Sequence, residues 1–379
     1  MFKKRKFDDR FIVFKKIFFE FAYSKEMKIY NMICLVFHSF SFVLQVYFIV
    51  QNFSVELITR YGCILAVFLY LIAAMSFAIF IEKQVKMLEV ETTSFFWPID
   101  CCGPQVKKLI YDRSARINIL NYFTLAWFTL FGIIMLPVWG DQSEWFLCIQ
   151  VFQQYFGSCW KLFYYFYFST CPMIAFTAFR LPGLMLYGIL HIDLQLVLIY
   201  QKIAQLSARR IFSENIVDNA HYQKTVFRKL KLCISHHVKL KTCLRKLIEL
   251  IQMAMPVFIF VGAVCSIAVL FFLLYVFSSS SHILKIRLAI SVVSNVLIVY
   301  TFSAAGQAIA DETSHVFDTL MTCPWNAWNN KNRKVLLIIM SNTLRPLTFT
   351  LAGITLNYKF GLTMIRISYT YALILYNLN

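Results

Sequence analysis

Charge is scarce in this sequence. Only 15% of its 379 residues are Asp, Glu, Lys or Arg, against about 25% in an ordinary soluble domain. Acidic residues are the scarcer, 19 against 37 basic ones. Glycine and proline are also few, 11 and 8. They gather into no linker, and no internal repeat divides the chain. The eleven cysteines have no metal-binding spacing, and most fall inside apolar runs as small residues. The seven histidines are scattered. His236 and His237 are adjacent, so on a helix they face different directions, with no third ligand at a useful spacing. The sequence therefore offers no catalytic constellation, no metal site and no cofactor site.

Apolar residues are what it has, at 59% with a mean hydropathy of +0.64. Several runs reach the ~20 residues needed to cross hydrocarbon. We read an all-α polytopic membrane protein with seven transmembrane helices, near Asn31–Val50, Ile58–Ile81, Asn118–Val138, Phe163–Tyr200, Ala254–Phe277, Ile286–Gln307 and Thr348–Tyr376. The fourth is too long for one crossing and is expected to project beyond the bilayer. Thirty of the 37 basic residues lie in 1–30, 83–117, 201–250 and 307–345, while the connections after spans one, three and five carry few. The positive-inside rule then puts the N-terminus in the cytoplasm and, after seven crossings, the C-terminus outside. Read this way, the net charge of +18 sets topology and meets anionic membrane lipids; nucleic acid is not indicated.

The opening thirty residues lack the contiguous apolar core of a cleavable signal peptide. Instead Phe7, Phe11, Phe14, Ile17, Phe18 and Phe21 recur at helical spacing between Lys and Arg. That pattern predicts a cytoplasmic interfacial helix within 1–30. Residues 31–306 hold six spans with cytoplasmic extensions, and 307–379 hold an anchor region and the last span. The sequon Asn52-Phe53-Ser54 falls in the first external connection. Cys148, Cys159 and Cys171 lie on or near that side, where one disulfide could form. Trp139, Trp145 and Trp160 are placed as interfacial anchors. At the tail, a basic amphipathic piece (Lys331–Met340) leads through Arg345-Pro346 into an apolar helix, so helix seven is split into cytoplasmic and membrane parts. Its Arg366, Ser368, Thr370 and Asn377 are costly in hydrocarbon and should face protein or a water path. Composition alone leaves two readings of that helix, a packed span or a pore lining.

From Ala305 onward the residues resemble the insect odorant receptors. The order is Gly306-Gln307, a Trp-containing connection, a basic helix, Arg345-Pro346-Leu347, Ala352-Gly353 and Ser368-Tyr369-Thr370-Tyr371. Leu190-His191-Ile192-Asp193-Leu194-Gln195-Leu196 is similar to that family's fourth-helix pattern, and His236-His237 before span five is similar too. The layout matches over nearly the whole chain, the specific residues mainly over its last 75.

The resemblance implies an odorant-gated, non-selective cation channel. Four subunits would surround one pore lined by the membrane part of helix seven, with cytoplasmic extensions of helices four to seven as the anchor between subunits. It also implies an obligate co-receptor in a heterotetramer, in the plasma membrane of olfactory sensory neurons. This chain lacks the co-receptor's long second cytoplasmic loop, which makes it a tuning subunit. Alignment with the co-receptor's tail puts the gate at Ile374, Asn377 and Leu378, with Asn where the co-receptor has Gln. Small volatile odorants are expected in an apolar cavity between helices two, three, four and six. That selects Val67, Tyr70, Leu71, Phe128, Gly132, Leu136, Met173, Phe176, Thr177, Ile290 and Ser294. Such a lining recognises ligands by shape and dispersion.

Rival readings are a homomeric odorant-gated channel and a gustatory receptor channel of the same architecture, whose tail is echoed by Thr370-Tyr371 and Asn377-Leu378. A G-protein-coupled receptor conflicts with the charge distribution, and Asp112-Arg113 precedes span three where its motif would follow it.

Overall fold

Helix starts follow local capping chemistry. The side chains of Ser24, Ser54, Asn219, Ser281 and Asn329 each accept a hydrogen bond from the backbone N–H three residues on, satisfying donors that a helix leaves open. The computed structural model describes residues 9–207, 217–276, 281–351 and 353–378 and is 87% helical. Its elements are α1 (Ile12–Lys15, continuing as a π-helical turn over Lys16–Phe21), α2 (Lys25–Gln51), α3 (Val55–Phe80), α4 (Glu82–Phe95), α5 (Pro104–Ile134), α6 (Cys148–Phe156), α7 (Trp160–Ser207), α8 (Ala220–Gln252), α9 (Met255–Val276), α10 (His282–Met321), α11 (Asn330–Thr343) and α12 (Tyr358–Leu378). Phe7 and Ala352 lie outside the described residues, as do Phe277 and the side chain of Leu378.

Among the described residues six stretches are long and apolar enough to cross a membrane: α2, α3, α5, the run through α6 and α7, α9, and α10. α2 shows the environment plainly, because it is polar inside and apolar outside. Asn31, His38, Ser41 and Gln45 are buried, while Ile33, Val36, Phe40 and Val43 are exposed. In hydrocarbon the apolar face belongs to lipid and the polar groups turn inward; His38 Nε2 meets Thr170 Oγ1 of α7 at 2.7 Å. The protein is a multi-pass membrane protein.

α7 is the axis. At 48 residues and 1.5 Å per residue it is about 70 Å long, over twice the ~30 Å hydrocarbon thickness. It packs against α3, α5, α8 and α10.

Five sequence expectations change. Thr348–Leu356 is not helical: Thr350–Leu351 and Ile354–Thr355 form a two-stranded hairpin, with Gly353 at φ 81° in its turn. Pro346 ahead of it and its β-branched threonines disfavour helix, so the last helix begins at Tyr358. The third span's helix stops at Ile134, since the residue before Pro137 is biased away from helix; Leu136 and Val138 lie beyond its end. The N-terminal aromatic face is covered by protein where an interfacial helix would meet lipid. Phe14 and Phe18 are buried, Phe18 stacks on Phe176 at 5.6 Å, and Gly183 leaves the room that the Phe18 ring occupies. Trp145 is fully buried with Phe146, Leu147 and Cys148, so it does not anchor at an interface. Cys148, Cys159 and Cys171 are free thiols.

Candidate functional site

α3, α5, α9, α10 and α12 leave a cavity of about 100 Å³ between them, of the order of an apolar cavity that holds one small aromatic ring. Val67, Tyr70 and Leu71 line it from α3, and Phe128 and Phe131 from α5. α9 contributes Met255, Phe258, Gly262 and Val269, and α10 contributes Ser291, Ser294, Asn295 and Phe302. Leu356, Phe360 and Met364 close the remaining side. Apart from Ser266, the side chains with which α9 lines the cavity are apolar.

The polar groups on these walls are mostly engaged. Ser294 Oγ accepts from Trp127 Nε1 at 3.1 Å and donates to the carbonyl of Ile290 at 2.7 Å. Ser266 Oγ donates to Asn295 Oδ1 at 2.9 Å. The Tyr70 hydroxyl is buried with no hydrogen-bond partner among the described residues, while its ring meets Phe258 edge-on at 5.6 Å. An unpartnered buried hydroxyl costs about 1–3 kcal/mol, a debt that a ligand oxygen can cancel.

Of the residues singled out from the sequence, the structure brings Val67, Tyr70, Leu71, Phe128 and Ser294 together here. It puts the others elsewhere. Gly132 lies against Pro172, whose α-carbon is 3.3 Å from where a side chain on Gly132 would begin. Phe176 stacks on Phe18. Thr177 is buried, donating to the carbonyl of Ile174 at 2.6 Å. Met173 is half-buried on α7, Leu136 sits in the turn after α5, and Ile290 of α10 is half-buried without lining this cavity. Helix four is thus absent from the lining, and α9 and α12 take its place. α9 is apolar all round, so nothing in its sequence marks which side faces a cavity.

α12 packs against α9 and α10 through Gly361, Ser368 and Ala372, small residues that let backbones approach. Ile374 is 47% exposed and Asn377 is exposed as well.

At the other end of α7, one motif ties several elements together. His191 pairs with Asp9 at 3.0 Å. Asp193 accepts from Arg113 of α5 at 3.0 Å, and Arg113 also meets Glu312 of α10 at 2.6 Å. Gln195 Oε1 accepts from the backbone N–H of Trp97 at 2.8 Å and lies 2.9 Å from His236 Nε2 of α8. His236 stacks on Trp97 at 4.2 Å. Burial, helped by nearby Lys239, pushes His236 down to about 3, and burial beside Lys241 pushes His237 to about 4. Burial opposes the Asp9 carboxylate, but His191, Tyr187 and the N–H of Phe11 together hold it below its usual range. Asn332 of α11 is fully buried and donates to Gln223 Oε1 of α8 at 2.8 Å. His236 and His237 are both buried within the chain.

The 7tm odorant receptor family profile matches residues 103–369. This chain belongs to that family. It is an odorant receptor, and the family is one of receptors rather than enzymes. The fold of the receptor is similar to solved structures of the insect olfactory receptor OR5 from Machilis hrabei. One has a TM-score of 0.68 at 14% identity, covering 98% of this chain and 100% of that one. Another, in complex with eugenol, has a TM-score of 0.66 at 14% identity, covering 94% and 91%. No curated protein sequence matches significantly.

Proposed function

We propose that this receptor is the tuning subunit of an odorant-gated, non-selective cation channel. It works with a co-receptor in a heterotetramer, in the plasma membrane of olfactory sensory neurons. The chain crosses the bilayer seven times, its N-terminus cytoplasmic and its C-terminus outside, with α12 as the last crossing and the pore lining. α8, α11 and the inner end of α10 supply the anchor between subunits.

One observation carries this reading. The cavity is walled on one side by Tyr70, Phe128 and Ser294 and on the other by Leu356, Phe360 and Met364, so an odorant inside it touches the pore helix directly. A ligand that fits better when α12 is displaced shifts the population toward the open state. Its chemistry would be apolar with one hydrogen-bond acceptor for Tyr70. Eugenol, held by a structural relative, is an aromatic ring with oxygen substituents of that kind. Val67, Tyr70, Leu71, Phe128 and Ser294 are the binding residues we carry forward. Ile374 and Leu378 would close the pore by dewetting, and Asn377 would help water and cations pass.

Whole-cell current under a broad odorant panel, with and without a co-receptor, tests this. Odorant-evoked cation current only with both subunits is the expected result. Current from this chain alone would make it a homomeric channel, and a response to sugars or bitter compounds alone would sink the odorant reading.

A further inference from the structure

A second cavity, of about 60 Å³, shares no residue with the first. Its walls come from four parts of the chain: Phe19 after α1, the stretch from Ile81 to Phe96 on and around α4, Leu181–Ile192 of α7, and Cys243–Ile251 of α8. Most of this lining is hydrocarbon. The stronger polar side chains that reach it are already engaged. The hydroxyls of Thr92 and Thr93 donate to the carbonyls of Leu88 and Glu89 at 2.8 and 2.9 Å. Glu89 pairs with Lys15 at 2.6 Å. The Tyr187 hydroxyl donates to Asp9 at 2.8 Å, and His191 pairs with the same carboxylate at 3.0 Å. A water in this space needs two to four polar partners and finds their bonds already spent. Hydrocarbon loses nothing by entering and gains dispersion contacts with the walls.

We infer that this cavity binds an uncharged hydrocarbon segment, the end of a lipid acyl chain or a small apolar molecule, lodged between the N-terminal segment, α4, α7 and α8. The occupant bridges Phe19 and Leu247, so its binding fastens the N-terminal segment to the helices beneath it. The site is independent of the odorant cavity and of any channel activity.

The test uses the full chain in lipid nanodiscs and two aliphatic diazirine probes, a phospholipid carrying the group near its acyl terminus and a short alkyl diazirine. Photo-adducts are mapped by peptide mass spectrometry. Leu247 of α8 and Met185 of α7 are buried and line this cavity, so adducts there report its occupant. The expected result is adducts at those residues with at least one probe, diminished by excess unlabelled lipid or alkane. They should disappear in Thr93→Phe and in Cys243→Leu, which fill the space from α4 and from α8, while adducts on the exposed α2 face at Ile33 and Val36 persist. Labelling by the phospholipid alone identifies an acyl chain, by the short probe alone a small molecule, and by both a shared site. Labelling of α2 without labelling of α7 and α8 overturns the inference. So do cavity adducts in the wild-type chain that no competitor diminishes, or that survive both filling substitutions.

Discussion

The α-carbon of Gly306 lies so close to Leu356 that a methyl group built on it would overlap the Leu356 carbonyl oxygen. α10 and the approach to α12 are thus in backbone contact, next to the cavity that Leu356 helps to close. One helical turn up α12, Gly361 faces Ser303 of α10, with the Ser303 Oγ 2.6 Å from where a side chain would begin.

Gly306→Ala is therefore expected to destabilise the protein by about 1–3 kcal/mol, the usual cost of overpacking a tight contact. Backbone cannot swing aside as a flexible side chain can. Gly62→Ala is the control, because its methyl group meets only Ile58 at 3.8 Å. Thermal unfolding of the purified protein in detergent compares the two, and equal melting temperatures would refute the close contact.

Tyr70→Phe removes a buried hydroxyl that has no hydrogen-bond partner among the described residues. Stability should hold or rise, since the variant no longer buries an unsatisfied group. Potency should fall about two- to tenfold for odorants bearing a carbonyl or hydroxyl, corresponding to one hydrogen bond of about 0.5–1.5 kcal/mol. Hydrocarbon ligands of the same shape should respond unchanged. A uniform loss across both classes would mean that the hydroxyl does not meet ligand.

Arg113 holds two buried carboxylates, Asp193 and Glu312, at 3.0 and 2.6 Å. Arg113→Met leaves both without their cation and should cost about 3–5 kcal/mol, as breaking one side of a buried ion pair does. Adding Asp193→Asn and Glu312→Gln should restore most of that loss. Failure of the triple variant to recover, read by thermal unfolding, would show that Arg113 acts through packing and not charge.

The histidines of α8 set a pH dependence. Folded His236 takes a proton only near pH 3 and His237 near pH 4, while an unfolded histidine titrates near 6.5. Above pH 6.5 neither state is protonated and the pair contributes nothing. Between 6.5 and about 4 the unfolded chain binds more protons, so stability falls as pH falls, by up to about 1.4 kcal/mol per pH unit for each histidine. His236→Gln keeps a donor for Gln195 and should lower the slope in that window by one histidine's share. An unchanged slope of melting temperature against pH would count against it.

Hydropathy made the spans legible, because long apolar runs must be helical in hydrocarbon. It could not tell which way each helix faces. α9 is apolar almost all round, and its contribution to the cavity beside α12 is invisible for that reason, as is the turning of Phe176 toward Phe18. Polar residues were more informative. His191, Asp193 and Gln195 are legible in the Leu190–Leu196 pattern, and each grips a different element. The hairpin at Thr350–Thr355 is not legible in the sequence, because two-residue strands leave almost no alternating pattern,. The burial of Trp145 depends on a fold-back segment whose path only tertiary packing decides.

α7 carries Pro172 and Pro182 inside a continuous helix of 48 residues. Each proline removes one backbone hydrogen bond from the ladder, so these are the places where the rod resists bending least. Pro182 stands about 37 Å from Ser207 along the axis, taking 1.5 Å per residue. A tilt of about ten degrees there carries the far end roughly 6 Å sideways over that length, more than the rise of one helical turn. A tilt at Pro182 too small to break any single contact at the middle of α7 would therefore grow steadily along the helix, smallest where Gly188 meets Leu247 of α8 and largest at Ser207.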